Sequence, residues 1–193
     1  MKQLEMCWKV TNDLTPIELP SGYSIEAYKG EEDKTAWCAC CRDGMLIDEH
    51  AGTKEFDCSM TDGIVVDLYS DVLFLKYHGD VVGTVTAFVR DDGEGELHMV
   101  SICPEYRGRG LSKYLNFAGQ MKLLRDGVKH IFLTTDEFRK SAIKGYMSAG
   151  FLPVDSDVDM KQRWEDVLYS INVEQTAIYN KDLQSCYMIY RQK

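Results

Sequence analysis

Between Ile102 and Ser112 the chain reads Ile-Cys-Pro-Glu-Tyr-Arg-Gly-Arg-Gly-Leu-Ser, and residue types at this spacing can do chemistry. The stretch lies where an apolar β-type run gives way to a helical period. A tight loop at such a junction exposes unpaired backbone N–H groups at a helix start, and the helix dipole adds positive potential, so a diphosphate can sit on it. Gly108 and Gly110 allow close approach, because a side chain at either position would hold phosphates away from the amides. Arg107, Arg109 and Lys113 stand against the single acid Glu105 and can add charge-assisted bonds. A glycine-rich turn with solvated charge explains the same residues without a ligand. The usual nucleotide motifs do not fit: no Gly-Lys-Ser/Thr follows, and the Gly-x-Gly-x-x-Gly spacing is absent. Upstream, His98 sits on the β-type run, and an imidazole that titrates near neutrality is a natural base or water relay.

Positioning such a loop needs a folded core, and 193 residues are enough to bury one without disulfides or a structural metal. One domain spanning residues 1–193 is expected. A net charge of −9 argues against nucleic-acid binding, which draws on clustered Lys and Arg, and favours a cationic acceptor. Seven irregularly spaced cysteines, an odd number, read as thiols in a reducing cytoplasm. Cys38-Ala39-Cys40-Cys41 holds one C-x-x-C pair, but no second ligand pair follows, so no metal is expected. Met1 to Asp13 mixes Lys2, Glu5, Lys9 and Asp13 among apolar positions, unlike a secretion signal, and no run approaches the length of a membrane span.

The elements follow from hydrophobic period and breakers. Tyr23 to Ala27 predicts a strand, Glu31 to Leu46 a helix, and Glu55 to Met60 a short helix among the breakers Gly52, Asp62 and Gly63. Val72 to Tyr77 and Val81 to Val89, joined at His78-Gly79-Asp80, form a hairpin, and Glu96 to Ile102 completes a three-stranded meander. After Gly110 the period becomes helical, with Leu111, Tyr114, Leu115, Ala118 and Met121 on one face. His130 to Thr134 is a strand, Arg139 to Ala149 a helix closed by Gly150, and Phe151 to Val154 a strand. A helix at Met160 to Ser170, with Trp164 as its core anchor, and a strand at Cys186 to Tyr190 complete the chain. Asp155, Asp157 and Asp159 read as a solvated turn. The sum is an α/β (α+β) fold, a mixed and mostly antiparallel sheet flanked by helices.

Arg107 to Ser112 resembles the acyl-CoA pyrophosphate loop of the GNAT N-acetyltransferase superfamily, Gln/Arg-x-x-Gly-x-Gly/Ala, with Ser112 where the family prefers Gly or Ala. The resemblance runs from Phe74 to Val154 in the family's order. Phe74-Leu75-Lys76 and Val81-Val82-Gly83-Thr84 look like its strand pair, and Ala142-Ile143-x-x-Tyr146-x-x-x-Gly150-Phe151 resembles its second CoA motif. Leu19-Pro20-Ser21-Gly22-Tyr23 and the helix holding Trp37 faintly resemble the mycothiol-synthase branch.

The resemblance implies acetyl-CoA as co-substrate, lying in a splay between the 96–102 and 130–134 strands. Its pantetheine would bond the main chain near Val100 and Ile102, and its diphosphate would reach Arg107, Gly108, Arg109, Gly110, Leu111 and Ser112. Arg139, where many members have Asn, is a further candidate contact. Tyr146 matches the family's general acid, its hydroxyl close to the CoA sulfur. Glu96 lies eleven residues before Arg107, where the histone-acetylating branch places its base. His98 shares its face if the strand is regular. The acceptor implied is an amine on a small molecule or peptide, with no nucleic acid or membrane partner, in a monomer or homodimer. A non-catalytic acyl-CoA-binding module is the alternative.

Overall fold

The computed structural model describes residues 2–10, 14–42 and 46–190. They form two compact units, Thr11–Lys129 and Met1–Val10 with His130–Lys193. In the first unit β2 (Tyr23–Ala27), β3 (Val72–Tyr77), β4 (Asp80–Val89) and β5 (Gly95–Ile102) pair antiparallel in that order. The predicted meander is therefore present, with β2 added at its edge.

Two helical layers cover this sheet because successive strand side chains point to opposite faces. On one face, α1 (Glu31–Cys41) and α2 (Thr53–Thr61) bury Trp37, Phe56 and Met60 against Val72 and Phe74. Thr86 reaches the sulfur of Met60 from that face. On the other lies α4 (Ser112–Arg125), where a Cβ added to Gly119 would sit 2.6 Å from Leu97 Cδ2. Glycine here lets the helix lie close on the strands. A four-residue helix, α3 (Leu68–Asp71), precedes β3 where no element is expected from the hydrophobic period, and its cap is a bond from Tyr69 N–H to the Asp67 carboxylate.

The helix expected over 31–46 stops at Cys41. Arg42 forms a β-bridge with Ile47 and donates from Nε to the Ala51 carbonyl at 2.7 Å. Residues 43–45 of that expectation lie outside the described residues.

In the second unit β1 (Leu4–Lys9) pairs antiparallel with both β6 (His130–Thr135) and β7 (Leu152–Asp155). β7 continues parallel to β8 (Gln175–Asn180), which pairs with β9 (Cys186–Tyr190). β1 and β8 are additions to the expected elements. α5 (Lys140–Ser148) precedes β7, and α6 (Met160–Ser170) packs on it through Trp164, fully buried, whose indole N–H donates to Val154 O at 3.2 Å. Asp155 is not merely part of a solvated turn, since its carboxylate accepts from the Tyr187 hydroxyl at 2.7 Å.

Candidate active site

The loop is anchored before it turns. Cys103 N–H donates to Val82 O, and Pro104–Tyr106 form one 3-10 turn that Arg107 N–H closes on Pro104 O. Gly108 and Gly110 then take φ of 74° and 69°, left-handed values that cost an L side chain roughly 1–2 kcal/mol. Beyond the adjoining residues nothing stands within 4 Å of a Cβ built on either glycine, so backbone conformation, not crowding, requires them, and open space lies beside both. Among the described residues the N–H groups of Gly108, Arg109, Gly110 and Leu111 donate to no backbone carbonyl, and Leu111 caps α4 without a side-chain bond. These are the donors an anion needs.

The loop arginines are held in place by the loop itself. Arg107 Nε donates to Ile102 O at 2.9 Å, Arg109 Nη2 donates to Glu105 O at 2.9 Å, and the Arg109 guanidinium lies 4.8 Å from the Tyr106 ring centre. Lys113 stacks on Tyr114. Pre-ordered cations lose less freedom when an anion arrives. One turn further on, Asn116 is fully buried with neither amide atom hydrogen-bonded. It is absent from the residues singled out by motif, and its only sequence signal is a polar residue amid the apolar period of the helix. Each orphaned atom costs on the order of 1–3 kcal/mol, recovered when a ligand or water reaches it.

β5 is not regular. Thr84 opposes Ser101 and Thr86 opposes His98, so Val85 alone faces Met99 and Val100, and Met99 takes a φ of 51°. This is a β-bulge. The side chains report its effect: His98 Nε2 lies 3.0 Å from Ser59 O of α2, and Ser101 Oγ donates to Cys40 O of α1 at 2.6 Å. Those residues would lie on opposite faces of a regular strand. Ile102 faces α4 instead, its Cδ1 2.6 Å from a Cβ built on Gly83, with Leu115 beside it. Glu96 and His98 do share a face, as expected of a regular stretch, but the bulge takes Ile102 off it, and Val100 stands in the bulge itself.

Glu96 sits near the β4–β5 turn, half-buried, 3.9 Å from the Arg90 guanidinium. His98 is partly buried beside Phe88, and burial pulls its pKa below the ordinary 6.5, opposed by the bond to Ser59. A carbonyl can only accept, so Nε2 carries the proton and Nδ1 is the basic atom. Because the folded state binds this proton less tightly than the unfolded chain, the stability linked to His98 is complete above about pH 6.5 and is lost as pH falls through the folded value. Urea midpoints should therefore drop between about pH 7.5 and about pH 5.5 in the native sequence, by no more than roughly 1.4 kcal/mol per pH unit for this proton. His98→Gln, which keeps an N–H for Ser59, should flatten that drop; an unchanged slope would assign the acid loss to other groups.

In the second unit Tyr146 is set by the end of its helix. Gly150 takes a φ of 89°, Phe151 N–H donates to Tyr146 O, and Gly150 N–H donates to Met147 O. This is the Schellman arrangement, and its hydrophobic contact is Tyr146 against Phe151, ring centres 6.2 Å apart. The Tyr-x-x-x-Gly-Phe spacing thus has a local physical cause. Burial pushes the Tyr146 phenol up to about 12, with the Arg139 charge pulling the other way. None of the hydrogen bonds among the described residues uses its hydroxyl. Arg139 lies just before α5, its Nε 3.4 Å from Asp136 and its guanidinium over Phe138.

Mostly antiparallel strand pairing, flanking helices and a glycine-arginine loop at a helix start are what the resemblance to the GNAT superfamily implies. The sequence model of the acetyltransferase (GNAT) family matches residues 20–151, and the chain belongs to that family. A mycothiol acetyltransferase from Renibacterium salmoninarum is 23% identical over 166 residues, 81% of this chain and 48% of the relative. The chain spans about half the length of the curated relatives it matches. Among solved structures, a GCN5-related N-acetyltransferase from Sphaerobacter thermophilus superposes with a TM-score of 0.62 at 20% identity, covering 79% of this chain and 49% of that one. A diaminobutyrate acetyltransferase from Paenibacillus lautus, solved with L-2,4-diaminobutyric acid and coenzyme A, gives 0.50 at 18% identity, covering 65% of this chain and 72% of its own. Among the described residues no helix is long and apolar enough to cross a membrane, and no three potential metal ligands stand together.

Proposed function

We propose that the protein is an acyl-CoA-dependent N-acetyltransferase of the cytoplasm, working as one catalytic domain that moves an acetyl group from acetyl-CoA to an amine of a small molecule or peptide. The observation that carries this reading is the 107–112 loop, with open space beside left-handed Gly108 and Gly110 and unpaired amides at the head of α4. That donor set fits a diphosphate. The loop amides with Arg107, Arg109 and Ser112 hold the diphosphate, and the main chain at Val100 and Ile102 serves the pantetheine.

The acceptor attacks the thioester carbonyl directly, and the reaction moves two protons. A base takes one from the amine: Glu96 is the first candidate and His98, neutral at pH 7 because it is buried, the second. Tyr146 gives the other to the departing thiolate. Its raised pKa keeps that proton in place at neutral pH. The acidic balance of the chain, −9, suits a cationic acceptor.

Calorimetric titration with acetyl-CoA, followed by detection of released CoA thiol across a panel of amines, tests the reading. Binding with amine-dependent release supports it. Binding without release on any amine would make the chain a cofactor-binding module, and no binding at near-millimolar acetyl-CoA would overturn the loop assignment.

A further inference from the structure

Cys40, near the end of α1, and Cys103, immediately after β5, are free thiols whose Sγ atoms stand 2.7 Å apart. That is closer than non-bonded sulfurs stand and approaches the roughly 2.05 Å of a disulfide. Both backbones are already held. Ser101 Oγ bonds the Cys40 carbonyl, and Cys103 N–H bonds Val82 O at 2.9 Å. The neighbouring Cys38 is turned elsewhere, its sulfur toward Gly52 O. Cys58 and Cys186, by contrast, are exposed.

We propose that Cys40 and Cys103 are a modification site, a dithiol pair that a peroxide converts reversibly to a disulfide, pinning α1 to the residue from which the cofactor loop departs. The hydrogen bond from Cys40 favours thiolate at Cys103, which is also the less enclosed of the two, at 4% exposure against none. The Cys103 sulfur attacks one oxygen of hydrogen peroxide and the O–O bond breaks; the hydroxide released takes up the Cys103 proton as water. The Cys40 sulfur then attacks the resulting sulfenic sulfur, the S–O bond breaks, and a second water leaves with the Cys40 proton. Two thiols lose two electrons and one peroxide becomes two waters. A dithiol such as dithiothreitol reverses the cross-link by exchange.

The test needs no acetyl-CoA, so it stands or falls apart from the enzymatic reading. The full chain is treated with a roughly tenfold excess of hydrogen peroxide, alkylated after denaturation, digested and analysed by mass spectrometry. The expected result is a peptide pair joined through Cys40 and Cys103, lighter by two hydrogens. Alkylation at both positions should fall about tenfold and return after dithiothreitol. In Cys40→Ala the pair is absent and Cys103 proceeds to sulfinic or sulfonic acid. Alkylation at Cys40 and Cys103 equal to that of untreated protein, or a bridge from Cys103 to Cys38 or Cys41 instead, overturns the proposal, and the native chain alone suffices to reveal either outcome.

Discussion

Tyr146→Phe should lower turnover about 10²–10⁴-fold while leaving the Kd for acetyl-CoA within about twofold. The substitution removes one oxygen and keeps the ring. The Schellman bonds that hold α5, from Phe151 N–H to Tyr146 O and from Gly150 N–H to Met147 O, are main-chain bonds and survive it. The packing against Phe151 survives as well. What is lost is a proton that burial holds on the phenol at neutral pH, with the pKa pushed up to about 12. An acid that protonates the leaving thiolate acts on the transition state, so its loss falls on kcat and spares binding. Steady-state kinetics beside calorimetry separate the cases. Weaker affinity with unchanged kcat, or no change in either, would return Tyr146 to a packing role.

The second large effect is expected at the loop. Gly110→Val should weaken acetyl-CoA binding at least about 100-fold, equivalent to roughly 2.7 kcal/mol, with little loss of helical content. A valine finds room at this site, since no atom beyond the two adjoining residues lies within 4 Å of its Cβ position. Its penalty comes from the φ of 69°, which a β-branched residue resists, and from a side chain that fills the space in front of amides without backbone acceptors. Circular dichroism and a thermal scan verify the fold, and calorimetry reads the affinity. Native affinity in a folded Gly110→Val protein would remove the diphosphate from this loop.

Both predictions concern features legible in sequence because they are local. Glycine at a left-handed position, an arginine-rich turn after a strand and a Gly-Phe helix end each write their cause within a few residues. For the same reason β3, α6 and β9 fall at their predicted bounds, each a short period bracketed by breakers.

What escapes a sequence reading is non-local. Leu4, Met6 and Trp8 alternate, but with Leu, Met and Trp rather than β-branched residues, and the segment becomes a strand only because β6 and β7 flank it from more than a hundred residues away. β8 likewise depends on a parallel partner, β7, and on β9. The β5 bulge is invisible in Glu96 to Ile102, since an extra residue shows only against the register of β4.

Neighbours along the chain were enough to specify the family, the glycine loop ahead of α4 and the helix end that holds Tyr146. Folding was needed to establish that His98 faces α2 and is made less basic by burial, that Ile102 turns to α4, that Asn116 is buried without partners and that Cys40 meets Cys103. The division has one physical reason: backbone conformation is set by near neighbours, whereas burial and side-chain partners are set by residues the chain reaches only once folded.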